Sequence, residues 1–77
     1  MTNEEKQHIK YLCRMKNKIQ NKIGSLTLFI INLKEIFGED YYPSSTHYKR
    51  ALLYEDLKQV NENIRYFKIY LGYKNHE

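Results

Sequence analysis

The chain is poor in the residues that staple small folds together or interrupt helices. Among its 77 residues there is one cysteine, one proline, three glycines and no tryptophan. Because Cys13 is alone, an intrachain disulfide is excluded, and His8, His47 and His76 lack the paired spacing of a structural zinc site. A chain this short buries only about 60% of its unfolded surface. Small folds of this kind usually need a disulfide, a metal or a partner chain, and only the partner chain remains here.

Long apolar runs are also missing. The longest, Leu26 to Leu33, is interrupted by Thr27 and Asn32 and falls far short of the roughly 20 residues that span a bilayer. The first residues, Met1 to Lys10, are polar, and the single cysteine is typical of a reducing compartment. We therefore expect a cytoplasmic protein that is not associated with membranes. The heavy use of Ile, Asn, Lys and Tyr is typical of AT-rich coding sequences, as in low-GC bacteria, their phages and plasmids.

Catalytic constellations are not apparent either. Cys13 and His8 are five residues apart, so on a helix they point in different directions and cannot form a nucleophile–base pair. The glycines Gly24, Gly38 and Gly72 are isolated, which excludes a glycine-rich phosphate loop. We expect no enzymatic activity, no cofactor, no metal and no small-molecule substrate. Cys13 itself is interpreted as a small, partly buried side chain.

Apolar residues upstream of Gly38 recur every three or four positions, which is the period of an α-helix. At about 100° per residue this seam keeps its phase across Gly24, and one glycine costs only about 1 kcal/mol in a helix interior. We therefore favour one helix from about Asn3 to Phe37. A break at Gly24, which would give a three-helix bundle, is the alternative. The seam comprises Leu12, Met15, Ile19, Ile23, Leu26, Ile30, Leu33 and Phe37.

A loop over residues 38–45 separates this helix from a second one. Gly38 is suited to a helix C-terminus, Pro43 stops a helix, and Ser45 or Thr46 is suited to the next N-cap. The second seam steps by four and three residues alternately, which is a heptad pattern, and predicts a helix from about Thr46 to Leu71. Gly72 would lie just past its end. The seam comprises Leu53, Leu57, Val60, Ile64, Phe67 and Leu71.

These patterns predict one all-α domain over residues 1–77, folded as a long antiparallel helical hairpin. The segment 26–37 is apolar nearly all round, so Leu28 and Ile31 would face water in a lone hairpin. This predicts either a dimer that forms a four-helix bundle or a permanent protein partner. A dimerising hairpin resembles some plasmid and phage regulators in architecture only.

The net charge of +4 is concentrated in the first third of the chain. Up to Ile23 there are six basic residues and two acids, whereas the remainder has seven of each sign. Five of these cations follow one another in steps of four residues and form what we call the basic ridge, on the side of the helix away from the seam. A cationic helix of this kind can bind a nucleic-acid backbone or an acidic protein, or remain simply solvated. The basic ridge comprises Lys6, Lys10, Arg14, Lys18 and Lys22.

The second candidate surface is aromatic. Eight tyrosines are present, and several lie with Ile69 roughly opposite the second seam at the C-terminal end. Tyrosine offers apolar area with a polar tip and is enriched at interfaces, although these rings can also simply pack on the first helix. With the apolar residues of segment 26–37, the partner-binding residues that we predict are Tyr66, Ile69, Tyr70, Tyr73, Leu28 and Ile31.

Three functions are consistent with these patterns. The leading interpretation is a small protein-binding regulator, of inhibitor or adaptor type, that acts through its apolar and tyrosine-bearing helix faces. The second is nucleic-acid binding through the basic ridge. In the third, the apolar surface serves only for assembly with a second copy.

Overall fold

The computed structural model of the chain describes residues 1–76, with side chains up to residue 74. Within this range the chain forms two helices and no strand: α1, Asn3–Phe37, and α2, Ser44–His76. The start of α1 is a capping box, in which Thr2 Oγ1 accepts a hydrogen bond from the Glu5 amide at 3.2 Å. The Thr2 amide in turn donates to Glu5 Oε1 at 2.9 Å, so two otherwise unpaired amides are satisfied.

α1 passes through Gly24 without a break, so the three-helix alternative is wrong. It ends at Gly38, whose backbone has a φ of 105° and whose amide donates to the Lys34 carbonyl at 2.8 Å. Only glycine adopts such a φ at little cost, which explains why the helix stops here.

The short connection between the helices is held by aromatic contacts. The ring of Tyr41 lies 4.8 Å from that of Phe37, and Tyr42 stacks on His47 at 4.3 Å with nearly parallel planes. Pro43 is buried below them. The loop tyrosines therefore close the end of the hairpin.

α2 is longer at both ends than the sequence predicted. Its first helical hydrogen bond runs from the His47 amide to the Pro43 carbonyl at 3.0 Å, so Pro43 takes the N-cap position that we expected at Ser45 or Thr46. Proline is tolerated there because its missing amide would be unpaired in any case. At the other end the helix continues through Gly72, because a single glycine permits a helix as well as a stop.

The two helices pack along the predicted seams. Four apolar side chains of the seams are buried, and the other seam residues are half-buried, except for Phe37, which is exposed. Arg50 on α2 donates to Thr27 Oγ1 on α1 at 3.3 Å, and His8 packs edge-on against Phe67 with ring centres 4.7 Å apart. The core is therefore one layer thick along the whole hairpin. Its buried apolar residues are Leu12, Ile23, Ile30 and Val60.

The hairpin is a rod that measures 59 × 16 × 14 Å. Its radius of gyration is 17.7 Å, whereas a compact domain of this length has about 11–12 Å. Its accessible surface is 6316 Å², whereas a compact monomer of the same mass exposes about 5,000 Å². The difference of about 1,300 Å² exceeds the roughly 800 Å² that each partner contributes to a standard protein–protein interface. Across residues 1–76, neither helix has an apolar stretch long enough to cross a membrane.

Candidate functional site

Large apolar side chains lie exposed on the rod, and most of them are near its two ends. Near the loop, Leu28 and Ile31 both face solvent, as expected for a hairpin alone, and Leu28 is 64% exposed. Leu28 lies two residues from the buried Ile30, and therefore about 200° around the helix from it. This side of α1 faces away from α2 and has no packing partner within the described chain.

The tyrosine cluster lies at the opposite, open end of the hairpin. Tyr66 and Tyr70 are 58% and 51% exposed, and they flank Phe67 instead of lying opposite the seam. Phe67 contacts Tyr70 with ring centres 5.7 Å apart, and the Arg65 guanidinium lies 5.2 Å above the centre of the Tyr66 ring. Each of the two tyrosine rings therefore has one neighbouring side chain in contact and about half of its surface open to solvent.

Ile69 and Tyr73 are also exposed, on the outer side of α2. The structure does not bring these two residues or the tyrosine cluster together with Leu28 and Ile31. Along α1, Leu28 and Ile31 lie near Thr27, whereas the tyrosine cluster lies beside His8. The spacing between Thr27 and His8 puts the two groups about 28 Å apart at 1.5 Å per residue. The predicted partner-binding residues therefore form two separate patches.

All five residues of the basic ridge are exposed. Each step of four residues turns about 40° around a helix, so the ridge winds gradually from one side of α1 to another. Lys6 and Lys10 lie on the side away from α2, whereas Lys18 and Lys22 line a groove between the two helices. The two ends of the ridge consequently face different surroundings.

This inter-helical groove has a volume of about 610 Å³ and is open to solvent. Leucines from both helices line it, and three lysines, two from α1 and Lys49 from α2, stand around them. Asn21 and Ser25 complete the α1 side. The leucines are Leu26, Leu52 and Leu53.

The sequence interpretation missed the apolar continuation of this groove toward the loop. Phe29, Leu33 and Ile36 follow Leu26 in steps of three, four and three residues, and therefore lie on the same side of α1. Phe29 and Ile36 are exposed and Leu33 is half-buried. The sequence showed that segment 26–37 is apolar nearly all round, but only Leu28 and Ile31 of that segment were predicted as partner-binding residues.

One charged pair stands out electrostatically. The hydrogen bond from Lys74 Nζ to Glu5 Oε1, at 2.6 Å, and the second one from the Thr2 amide together lower the pKa of Glu5 from its ordinary value of 4.5 to about 2. The hydrogen bond to Glu5 raises the pKa of Lys74. The Glu5 carboxylate both pairs with Lys74 and closes the capping box with Thr2. These two structural contacts account for its lowered pKa.

No group of three or more metal-ligating side chains is found in the described part of the chain. Cys13 is exposed, which corrects the expectation that it is partly buried. It lines a small pocket of about 190 Å³ between the helices, together with Ile9 and Lys16.

No protein-family model, no curated protein and no solved structure matches the chain. The function is therefore inferred from the exposed surfaces of the helical hairpin alone.

Proposed function

We propose that the chain is a small, non-enzymatic protein-binding regulator of inhibitor or adaptor type, which acts through its exposed apolar and tyrosine-bearing helix faces. The observation that carries this proposal is the excess surface of about 1,300 Å² over a compact monomer. This surface carries exposed large apolar side chains such as Leu28, Ile31 and Ile36, and contiguous apolar patches on a monomer are typical of interaction sites. A cytoplasmic setting and an origin in a phage or another mobile element belong to the same proposal.

A second copy is one partner that the exposed surface can take. Two hairpins that pack through the Leu28 and Ile31 side would add a second layer to the core and form a dimeric four-helix bundle. This arrangement leaves the tyrosine cluster, about 28 Å away, free for another protein. Self-association and regulation of a partner are therefore compatible.

The test of this function removes the two tyrosine rings, Tyr66 and Tyr70, at the open end of the hairpin. We expect Tyr66→Ala with Tyr70→Ala to abolish capture of the partner from the native cell while the circular dichroism spectrum stays helical. Tyr54→Ala is the matched control, because Tyr54 is 52% exposed and lies elsewhere on α2. Undiminished capture by the double variant would count against the tyrosine cluster as the binding surface.

Nucleic-acid binding is the second candidate, and the unpaired, exposed state of the basic ridge favours it. A cationic helix that binds phosphates loses affinity steeply as salt rises. Gel shifts with duplex and single-stranded DNA at low and high salt test this function. A shift that appears only at low salt and is lost in Lys10→Ala with Arg14→Ala would support it, and no shift at low salt would eliminate it.

A further inference from the structure

The inter-helical groove combines apolar walls with a cationic edge, which neither the tyrosine cluster nor the Lys6–Arg14 part of the basic ridge does. Its walls are the apolar side chains of Leu26, Leu52 and Leu53, and its polar edge is cationic, with Lys18, Lys22 and Lys49. We propose that this groove binds one acidic amphipathic helix of a partner protein. The proposal rests on the protein-binding function above and assigns a partner chemistry to one part of its surface.

The shape of the groove suits a helix. An amphipathic helix binds by laying its apolar face into a hydrophobic groove, with anchors spaced by three, four and seven residues. On α1 the groove lining begins at Lys18 and its apolar part runs from Leu26 to Ile36, so the whole surface is about 27 Å long at 1.5 Å per residue. A partner helix of about 18 residues has this length and can pack its apolar face against Leu26 and its continuation.

The charges select an acidic helix. No carboxylate is among the residues that line the groove, and the one ion pair among the described side chains, up to residue 74, joins Glu5 to Lys74, away from the groove. Asp56 on α2 lies nearby in sequence but makes no ion pair with a groove lysine. The three lysines are therefore available to carboxylates on either side of a bound apolar face, and charge complementarity at a rim sets specificity and association rate.

A second copy fits this groove poorly. A two-fold contact presents the same patch on both subunits, so the lysines of one groove would lie in the same interface as the lysines of the other and repel them. A nucleic-acid backbone would leave the apolar area of Leu26, Leu52 and Leu53 without a matching contact, because phosphates bind hydrogen-bond donors and cations. A membrane surface is flat, whereas these leucines lie between two helices.

The experiment uses three helical peptides of about 18 residues that share one leucine face and differ only in their flanking residues, which are Glu, Gln or Lys. Binding of each labelled peptide to the full chain is measured by fluorescence anisotropy at low and high salt. We expect the Glu peptide to bind about tenfold more tightly than the Gln peptide, as three rim pairs imply. The difference should shrink as salt rises, because exposed pairs are screened.

Charge reversal in the chain provides the matched control. The groove variant carries Lys18→Glu, Lys22→Glu and Lys49→Glu, and it should prefer the Lys peptide over the Glu peptide. The ridge variant carries Lys6→Glu, Lys10→Glu and Arg14→Glu, which changes the net charge equally at residues that do not line the groove. The ridge variant should keep the preference for the Glu peptide. A preference for the Lys peptide in the groove variant would also show that this variant is folded.

Each other outcome overturns the proposal in a distinct way. Equal binding of the Glu and Gln peptides removes the acidic specificity while leaving an apolar binding surface. If no peptide binds but the groove variant changes the sedimentation coefficient, the occupant is a second copy. Binding to anionic lipid vesicles or DNA without peptide binding assigns the groove to those ligands. If partner capture depends on Tyr66 and Tyr70 while the groove is inert, the protein-binding function survives without this site.

Discussion

Lys74 Nζ lies 2.6 Å from Glu5 Oε1, and this ion pair joins the last turns of α2 to the first turn of α1. Glu5 also closes the capping box with Thr2, so one carboxylate connects helix initiation to helix pairing. Its side chain is largely shielded, and its second oxygen, Oε2, has no hydrogen-bond partner. The open end of the hairpin therefore depends on the charge of Glu5.

Glu5→Gln should lower the melting temperature at neutral pH, because it removes the charge that binds Lys74. The pKa of Glu5 is lowered in the folded chain from 4.5 to about 2. The stability that it contributes is therefore fully present above its ordinary value and is lost as the pH falls through the folded value. Thermal melts across this range should show the wild type and the variant converging toward acid.

Glu4→Gln is the control for this experiment. Glu4 is exposed, lies in the same first turn and changes the net charge equally. If Glu4→Gln lowers the melting temperature as much as Glu5→Gln does, the helix dipole, and not the ion pair with Lys74, is responsible for the loss of stability.

Thr2→Ala should reduce the free energy of unfolding by about 0.5–2 kcal/mol, because the hydroxyl that accepts from the Glu5 amide is lost. Thr2→Ser retains this hydroxyl and should stay close to wild type. Urea denaturation followed by circular dichroism measures both variants. Equal loss in the two would show that the cap does not act through its hydrogen bond.

Gly24→Ala should raise the free energy of unfolding by about 0.5–1 kcal/mol. Gly24 lies inside α1, and nothing is within 4 Å of the position that an added Cβ would take. The same change at Gly38 should destabilise the chain by about 1–3 kcal/mol, since its φ of 105° strains any side chain. Chemical denaturation of both variants measures the contrast, and destabilisation by Gly24→Ala would indicate a break in α1 at that position.

Ile30→Ala should cost about 2–5 kcal/mol, because Ile30 is 4% exposed and lies in a core one layer thick. Ile36→Ala removes the same atoms from a side chain that is 72% exposed, and should change the stability of the isolated chain by no more than about 0.5 kcal/mol. Denaturation at several protein concentrations compares them. A large, concentration-dependent loss with Ile36→Ala would show that a second copy covers this residue.

The sequence predicted the extent of α1 because an apolar period runs along the whole helix and a glycine follows it at Gly38. The capping box at Thr2, which was not part of that prediction, is what the structure adds at the start of the helix. The ends of α2 were predicted less well. A helix can begin directly after Pro43 or a few residues later, and it can end at Gly72 or continue through it. The residue types alone do not decide between these positions. The neighbouring elements decide, as in the contact of the last turns of α2 with Glu5.

For the candidate surfaces, helical periodicity by itself determined that Leu28, Ile31 and the basic ridge face outward, because the angle around one helix follows from residue spacing. Only the tertiary structure decided which outward residues of the two helices become neighbours. It placed Lys49 across from Lys18 and Lys22, and it separated the tyrosines from Leu28 by most of the rod. Pairing depends on the register of α2 against α1, which is set by packing over the whole seam and not by any single helix.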